Sequence, residues 1–256
     1  MRNAIDIIIP VYNEGENIIN VIEPLRCLVK TPFRILICYD YDEDNTLIAL
    51  KEYQNAPLVD ILLVKNQGAG VFGAVTTGIE HSSAPAVIIM PADDTFNAGI
   101  IDQMFHKFQE GCQIVAASRF IPGGCMEGCP WLKATLVRTA AFTLYYIARL
   151  PTRDPTSGFR LFSSKVLEQI EIESAEGWAF SLELLVKCHR RGWQIGEVPA
   201  KWFERTKGQS RFQVLKWVPL YLRWYFYALA TTFLPSRLLK SRNSLRSPGS
   251  QPTINP

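Results

Sequence analysis

Residues 87–95 read Val-Ile-Ile-Met-Pro-Ala-Asp-Asp-Thr, and four apolar residues there lead directly into two adjacent carboxylates. The apolar run predicts the end of a buried strand, with Asp93 and Asp94 at the point where the strand leaves the sheet. Open α/β sheets bind their ligands at this end of their strands. Adjacent carboxylates repel each other unless a cation lies beside them, and Mg²⁺ and Mn²⁺ prefer such oxygen ligands. The stretch therefore predicts a divalent metal site or, as the alternative, an aspartate cap on a helix that begins near Ala98.

Two earlier apolar runs lead into polar loops in the same way. Residues 4–9 predict a first strand that stops at Pro10, because proline lacks the N–H that a central strand needs. Residues 33–38 predict a second strand. The polar side chains that follow these two runs are Tyr12 and Glu14 after the first, and Asp40 and Asp42 after the second. Three polar loops thus meet at one edge of a sheet, which indicates a ligand that carries a nucleotide.

Predicted strands and helices alternate along the chain. Helices are predicted over 17–28 and 46–53, strands over 60–64 and 113–117, a glycine-rich turn over 68–73 that opens a helix to His81, and a late helix over 180–190. This alternation predicts an α/β fold with a mostly parallel sheet, right-handed crossovers and flanking helices.

Several separate motifs resemble those of the inverting family-two glycosyltransferases, and most closely the dolichyl-phosphate mannosyltransferase-like branch. They are IIIPVYNEGENI from Ile7, NQGAGVFGAV from Asn66, SRFIPGG from Ser118, DPTSGFRLF from Asp154, GWAFSLELL from Gly177, and then EVP, ER and GQSRF, together with the acidic turns after strands two and four. The resemblance covers about residues 5–212. It implies the GT-A fold, in which a Rossmann-like half binds a nucleotide sugar and a second half binds the acceptor.

The resemblance assigns residues to the donor, which would be GDP-mannose or UDP-glucose. The residues expected to bind the base, the ribose and the neighbouring groups of the donor are Pro10, Tyr12, Glu14, Asp40, Asp42 and Ala92. Arg205, Ser210 and Arg211 would belong to a mobile basic loop over the donor diphosphate. The alternatives are a packed surface aromatic at Tyr12, a solvated turn at Asp40 and Asp42, and a basic linker at 205–211.

The metal motif departs from the family pattern. Relatives usually carry Asp-Ala-Asp, whereas this chain has Pro91-Ala92-Asp93 followed by Asp94. Asp93 matches the retained aspartate, and the resemblance implies that Asp93 and Asp94 hold Mg²⁺ or Mn²⁺, with substrate oxygens and water completing the shell.

Acceptor residues follow from the same resemblance. Arg119 matches a phosphate-binding arginine of the family. Its chemistry agrees with this role, because a guanidinium fork suits a phosphate. Further acceptor candidates are Lys133, Arg138 and Ser157. The alternative for the two cations is a role as solvated helix charges, and the alternative for the loop that contains Ser157 is a purely structural packing role. Glu183 is interpreted as a partner of Arg160 or Arg119, or as a residue on the wet side of its helix.

The implied reaction transfers mannose or glucose to a polyprenyl phosphate with inversion, and Asp93, Asp94 and Arg119 are the catalytic candidates. A phosphate acceptor is already anionic, so the site needs no strong base. One alternative is transfer to a glycan or protein hydroxyl, with Asp94 or Glu183 as the base. Another is a non-catalytic protein that binds a nucleotide sugar, which the replacement at Pro91 suggests.

The charge is unevenly distributed. Residues 1–204 hold 18 basic and 24 acidic residues, whereas 205–256 hold nine basic residues and no acidic ones. We expect a catalytic domain over 1–212, an amphipathic helical region over 213–235 and a basic disordered tail over 236–256. Trp217, Tyr221, Trp224, Tyr225 and Ala228 share one helical face, which favours a helix lying in a membrane interface; the alternative is packing on its own domain.

No signal peptide precedes Ile5, so we expect a cytoplasmic protein that is peripheral on the inner face of a membrane. The basic C-terminal region favours an anionic lipid surface as its partner. No nucleic-acid partner is expected.

Overall fold

The computed structural model describes residues 3–53, 60–204 and 214–233. Its strands are β1 (Ile5–Val11), β2 (Phe33–Tyr39), β3 (Ile61–Lys65), β4 (Ala86–Ile89), β5 (Ile114–Ser118), β6 (Cys125–Glu127), β7 (Arg160–Ser163), β8 (Ile195–Pro199) and β9 (Lys201–Phe203). Its α-helices are α1 (Asn17–Leu28), α2 (Asn45–Tyr53), α3 (Gly70–His81), α4 (Ile101–Gln109), α5 (Trp131–Tyr146), α6 (Ser164–Gln169), α7 (Ala179–Arg190) and α8 (Val214–Thr231). A short 3₁₀ turn, Ala98–Ile100, precedes α4.

Seven strands form the central sheet in the order β3-β2-β1-β4-β7-β5-β8. All neighbouring pairs are parallel except those of β7, which runs antiparallel between β4 and β5. The predicted α/β class with a mostly parallel sheet is therefore confirmed. Strands β6 to β9 lay outside the sequence-based prediction, because runs of three to five residues with mixed polarity carry little periodicity.

Strand β1 does not stop at Pro10, and that part of the prediction is wrong. The N–H of Met90 donates to the Ile8 carbonyl at 3.0 Å, so Ile8 turns its polar groups toward β4. Pro10 lies two residues further along and faces the same side, where β4 has already ended at Ile89. The missing N–H therefore leaves no acceptor unsatisfied, and β1 continues beside β2 to Val11.

Both faces of the sheet are covered, as parallel sheets require. Ile7 and Ile9 of β1 belong to the core under α1, whereas Ile8 packs with Cys38 beneath α3. Helix α3 approaches closely at Gly78, where an added Cβ would lie 2.8 Å from the Cys38 sulfur and from an Ile8 methyl carbon. The strand ends are thus held rigidly beneath the loops that follow them.

Helix α8 packs against α7 and α5. Trp224, Ala228 and Thr231 are buried in that contact, and the Trp224 indole donates to Ser174 Oγ at 2.9 Å. Tyr225 donates to Thr143 Oγ1 at 2.9 Å. Four residues of the aromatic face that was expected to lie in a membrane interface, Tyr221, Trp224, Tyr225 and Ala228, are therefore turned toward the protein, because the polar groups of Trp224 and Tyr225 find partners on α5 and in the loop before α7. The side chain of Trp217 lies outside the described part of the chain. None of the helices in the described part of the chain combines the length and apolarity needed to cross a membrane.

Candidate functional site

The edge at which β1, β2, β4 and β5 end carries most of the predicted site residues. Because β7 is antiparallel, it begins at this same edge: Arg160 pairs with Ile89 and with Ala116. The loop from Asp154 that leads into β7 therefore lies beside the loops that follow the parallel strands. This topology brings the residues expected near the donor, the metal and the acceptor to one side of the sheet.

The loop after β1 is fixed by the side chains of Asp44 and of the first two residues of α2. The backbone N–H of Asn13 donates to Asp44 Oδ2 at 2.9 Å, and that of Gly15 donates to Asn45 Oδ1 at 2.8 Å. Between them, the Glu14 N–H donates to Thr46 Oγ1 at 3.0 Å. Three consecutive amides are thus satisfied without regular secondary structure, which holds Tyr12 and Glu14 in place before any ligand arrives.

Asp40 and Asp42 are both engaged by residues that end β3. The Asn66 amide donates to Asp40 Oδ1 at 2.6 Å, and Lys65 pairs with Asp42 at 2.5 Å. Asn66 is oriented in turn by the Gly68 N–H, at 2.8 Å from its Oδ1. Lys65 and Asn66 were not among the predicted site residues, although both stand at a strand end, which was the available signal.

Tyr12 is 47% exposed and contacts Tyr41 edge to face, with 5.6 Å between the ring centroids. The pair lies above the carboxyl ends of β1 and β2, beside Pro10. An exposed ring held by a second ring offers a stacking surface for a base.

Asp93 and Asp94 have different surroundings. Asp93 is exposed, whereas Asp94 is half-buried and its two oxygens accept hydrogen bonds from the Asn97 side chain at 2.9 and 2.7 Å. The backbone N–H groups of Phe96 and Asn97 also donate to Asp94. Burial raises the pKa of Asp94, and the hydrogen bonds from Asn97 and Phe96 oppose that rise. Asp94 thus closes the turn over residues 94–97, whereas the 3₁₀ turn that follows has Asn97 as its N-cap residue and no side-chain cap, so the structure does not show the aspartate cap on a helix near Ala98. The Asp94 carboxylate is engaged by Asn97, which argues against Asp94 as a metal ligand or catalytic group.

Asn97 also ties this loop to β9. Its Nδ2 donates to the Lys201 carbonyl at 2.7 Å, and its Oδ1 accepts the Lys201 N–H at 2.8 Å. Phe96 packs on Phe203 with 4.6 Å between ring centroids. Asn97 was not among the predicted site residues, since its partner Lys201 lies 104 residues away.

A metal at this edge would have Asp93 as its protein carboxylate. Within the described ranges no group of three or more His, Cys, Asp or Glu side chains is arranged to hold a metal ion. An exposed carboxylate next to a fixed turn fits a cation that is shared with substrate oxygens, because Mg²⁺ commonly uses one or two carboxylates together with phosphates.

Arg119 forms a fork with Asp154. Its Nε and Nη2 donate to the two Asp154 oxygens at 2.6 and 2.8 Å, and its backbone N–H donates to Asp154 at 3.0 Å. Nη2 also donates to Thr156 Oγ1 at 2.9 Å. Burial alone would raise the pKa of Asp154, but the Arg119 charge and hydrogen bonds more than offset this and hold the pKa below its usual value. The guanidinium is therefore charged and fixed in direction, with Nη1 turned toward the Met126 sulfur.

The other acceptor candidates differ in their surroundings. Ser157 is almost buried, its hydroxyl lies 3.4 Å from the Phe159 carbonyl, and its own carbonyl accepts from Ser181, which favours packing. Lys133 pairs with Glu204 at 3.3 Å and lies 4.9 Å from the Trp202 ring centroid. Arg138 is exposed on α5.

Two buried charges support this region. Arg160 is fully buried and donates to the carbonyls of Pro155 and Ser181, so it fastens the loop before β7 to α7; burial lowers its pKa to about 10. Glu183 is also fully buried, and it accepts from the N–H groups of Glu173 and Ser174 and from Lys187. Both interpretations of Glu183, as an arginine partner or as a solvated residue, are therefore wrong, because the loop before α7 folds back over its carboxylate.

Arg205, Ser210 and Arg211 lie outside the described residues. Their assignment to the donor stays a prediction.

A family model described as "Glycosyl transferase family 2" matches residues 6–171, and this region contains the loops after β1, β2, β4 and β5 and the Arg119–Asp154 pair. The chain belongs to glycosyl transferase family 2. The family and the class of enzyme predicted from the sequence are thereby confirmed.

Two relatives support the branch of the family that the motifs resemble. The chain is 25% identical over 211 residues to a polyprenol monophosphomannose synthase of Mycolicibacterium smegmatis, covering 80% of this chain and 79% of that protein. It is 26% identical over 231 residues to a dolichol-phosphate mannosyltransferase of Pyrococcus furiosus, covering 86% of this chain and 64% of that protein.

Solved structures agree on the fold. A glucosyl-3-phosphoglycerate synthase of Mycobacterium tuberculosis with UDP superposes with a TM-score of 0.65 at 16% identity, covering 89% of this chain and 80% of that chain. The same enzyme with Mn²⁺, UDP and glucosyl-3-phosphoglycerate gives a TM-score of 0.62 at 17% identity, covering 96% and 82%. At this identity the likeness establishes the architecture, and the expected GT-A fold is confirmed.

The Asp154→Asn variant should be less stable at pH 7 by about 3 kcal/mol, because removing one partner leaves the Arg119 charge buried and uncompensated. Since the folded-state pKa of Asp154 is depressed, its stabilisation is present above the ordinary value of 3.8 and is lost as the pH falls through the lower folded value. Urea denaturation from neutral pH into acid should show the two curves converging below that value.

The surface variant Glu110→Gln, which loses exposed pairs with Lys107 and His106, is the matched control and should change stability little. A wild-type advantage over Asp154→Asn that stayed constant throughout the acid range would contradict this account.

Proposed function

We propose that this protein transfers a hexose from a nucleotide sugar to a polyprenyl monophosphate, with inversion at the anomeric carbon. The observation that carries the proposal is the Arg119–Asp154 fork, which fixes a guanidinium at the sheet edge where the donor loops meet. Because Nε and Nη2 are engaged by Asp154 and Thr156, the charged guanidinium would contact the acceptor phosphate through Nη1. The two relatives named as lipid-phosphate mannose synthases support this acceptor.

The donor binds over the ends of β1 and β2. Tyr12 supplies a stacking face, and Asp40 and Asp42 accept hydrogen bonds from the base or ribose, oriented by Asn66 and Lys65. The names of the two relatives favour mannose, and hence GDP-mannose, as the donor. The solved glucosyltransferase structures hold UDP or UDP-glucose, so UDP-glucose is the alternative donor.

Asp93 would hold Mg²⁺ or Mn²⁺, and such a cation would supply positive charge at the donor diphosphate as the nucleoside diphosphate leaves. Asp94 and Asn97 fix the turn that carries Asp93. Arg205, Ser210 and Arg211 assist at the diphosphate, an assignment that rests on the resemblance of their motif.

Positioning and charge carry the chemistry. The acceptor phosphate is an anion at neutral pH and attacks without a strong base. The competing proposal, transfer to a hydroxyl, loses both of its suggested bases: Asp94 is committed to Asn97, and Glu183 is fully buried against Lys187. This difference favours the phosphate acceptor.

The enzyme reaches its lipid by docking on the inner face of a membrane through the outer faces of α5 and α8. Large apolar side chains are exposed on these two packed helices, with exposed fractions from 38% to 79%: Trp131, Leu132, Leu136, Phe142, Tyr146, Val218, Leu222 and Phe226. A surface of this extent on one side of a protein favours an apolar partner. The basic residues of 205–256 add attraction to anionic lipid.

Incubation with radiolabelled donor, Mn²⁺ and a polyprenyl phosphate should place label in the organic phase. Asp93→Ala should reduce the rate by about a hundredfold or more, because one charge-stabilising group at the diphosphate is lost. Asp42→Asn, which removes an exposed carboxylate from the donor loop, is the control and should affect donor affinity more than the maximal rate.

Label that appeared only in water-soluble glycan or protein product would contradict the acceptor. Donor binding without any turnover would favour the non-catalytic alternative. Full activity of Asp93→Ala would contradict the metal assignment.

Flotation with anionic vesicles tests the membrane face. The double variant Trp131→Ser with Phe226→Ser should float about tenfold less, since two exposed rings no longer enter the interface. Leu28→Ser with Ile48→Ser changes two comparably exposed apolar residues on α1 and α2 and is the matched control. Salt should weaken wild-type flotation without abolishing it. Equal flotation of the two double variants would contradict this orientation.

A further inference from the structure

A cleft of about 280 Å³ lies between α5 and the two loops that carry Arg119 and Asp154. Phe120, which follows Arg119, and Arg153, which precedes Asp154, both line it. The cleft therefore begins beside the fixed guanidinium. No residue of the donor loops after β1, β2 or β4 lines it, so it belongs to the acceptor side of the molecule.

The walls of the cleft are aromatic. Besides Phe120 they include Phe142, Tyr145 and Tyr146 of α5. Tyr146 lies 4.6 Å from Phe142 and 4.8 Å from Tyr145 between ring centroids. Phe142 and Tyr146 are 60% and 61% exposed, so their rings remain available for burial by an apolar ligand. These two residues also belong to the exposed apolar face of α5 and α8 that is proposed to dock on the membrane, so the cleft is continuous with that face.

Two cations complete the lining. Arg138 is exposed on α5, and Arg153 lies 5.5 Å from the Tyr145 ring centroid, where a hydrogen bond with Tyr145 raises the pKa of its guanidinium, with a smaller contribution from the charge of Glu197. Exposed arginines beside aromatic walls suit a ligand with an anionic head and an apolar chain.

We infer that this cleft binds the first isoprene unit of the acceptor lipid, with Arg138 and Arg153 at its rim beside the phosphate that Arg119 contacts. The inference rests on the proposed function and deepens it. Ligand pockets that enclose a whole small molecule are about 300 to 1,000 Å³, so a cleft of about 280 Å³ takes one segment of a longer chain. The enzyme then selects its lipid by binding the chain segment next to the phosphate, and the rest of the lipid stays in the bilayer.

The test is calorimetric binding of farnesyl phosphate to the full-length protein without donor, at concentrations below micelle formation. Tyr145→Ala and Arg153→Ala should each weaken binding by about tenfold, because each removes one wall or one charge-assisted contact. Tyr145→Phe keeps the ring but loses the hydroxyl that hydrogen-bonds Arg153, so its affinity should lie between those of the wild type and Tyr145→Ala. Leu28→Ala changes an exposed apolar residue on α1, outside both the cleft and the membrane-docking helices, and it should leave binding unchanged.

Two further probes separate the parts of the ligand. Glycerol 3-phosphate presents a headgroup phosphate without a chain, and decyl phosphate presents an unbranched chain. Farnesyl phosphate should bind about tenfold more tightly than decyl phosphate and more tightly still than glycerol 3-phosphate.

No binding of farnesyl phosphate by the wild type, or unchanged binding by folded Tyr145→Ala and Arg153→Ala variants with wild-type melting temperatures, would overturn the inference. Equal affinity for decyl and farnesyl phosphate would overturn the isoprene assignment. If farnesyl phosphate binds with the expected variant effects but no label is transferred to lipid, the assignment of the cleft is supported and the proposed function is contradicted. The two failures are therefore distinguishable.

Discussion

The buried pair of Arg119 and Asp154 is the interaction on which the site depends. A buried charge is tolerated only when it is paired and its hydrogen-bonding capacity is filled. Asp154 meets this condition with three donors from Arg119 and one from the Thr156 hydroxyl. Arg119 uses Nε and Nη2 in doing so, which fixes the plane of its guanidinium.

The pair exists because one strand of the sheet is reversed. Had β7 run parallel to its neighbours, the loop before it would lie at the opposite edge, and Asp154 could not reach Arg119. Antiparallel β7 begins beside the end of β5 instead. Arg160, its first residue, then binds the carbonyls of Pro155 and Ser181, so the same turn that carries Asp154 is fastened to α7. Tyr221 of α8 lies near both arginines, and burial raises its pKa to about 12.

Much of this arrangement could be predicted from the sequence, because its signals are local. Apolar runs predicted β1 to β5, and carboxylates at strand ends predicted the position of the site. The partners could not be predicted, since they come from distant segments. Asn97 meets Lys201, and Glu183 is covered by the loop before its own helix. Helical periodicity showed that α8 has an aromatic face, but it could not show that hydrogen bonds to Ser174 and Thr143 turn that face inward.

A double-mutant cycle on Arg119 and Asp154 tests the central claim, that Asp154 acts on the acceptor phosphate through Arg119. The measured quantity is kcat/KM for transfer to a short-chain prenyl phosphate in Arg119→Lys, Asp154→Asn and the double variant, with donor affinity as the internal control. If the two residues act as one unit, each single change should lower kcat/KM by about a hundredfold, and the double variant should be no worse than the poorer single one. Losses that multiply in the double variant, or that appear in donor affinity, would contradict the account.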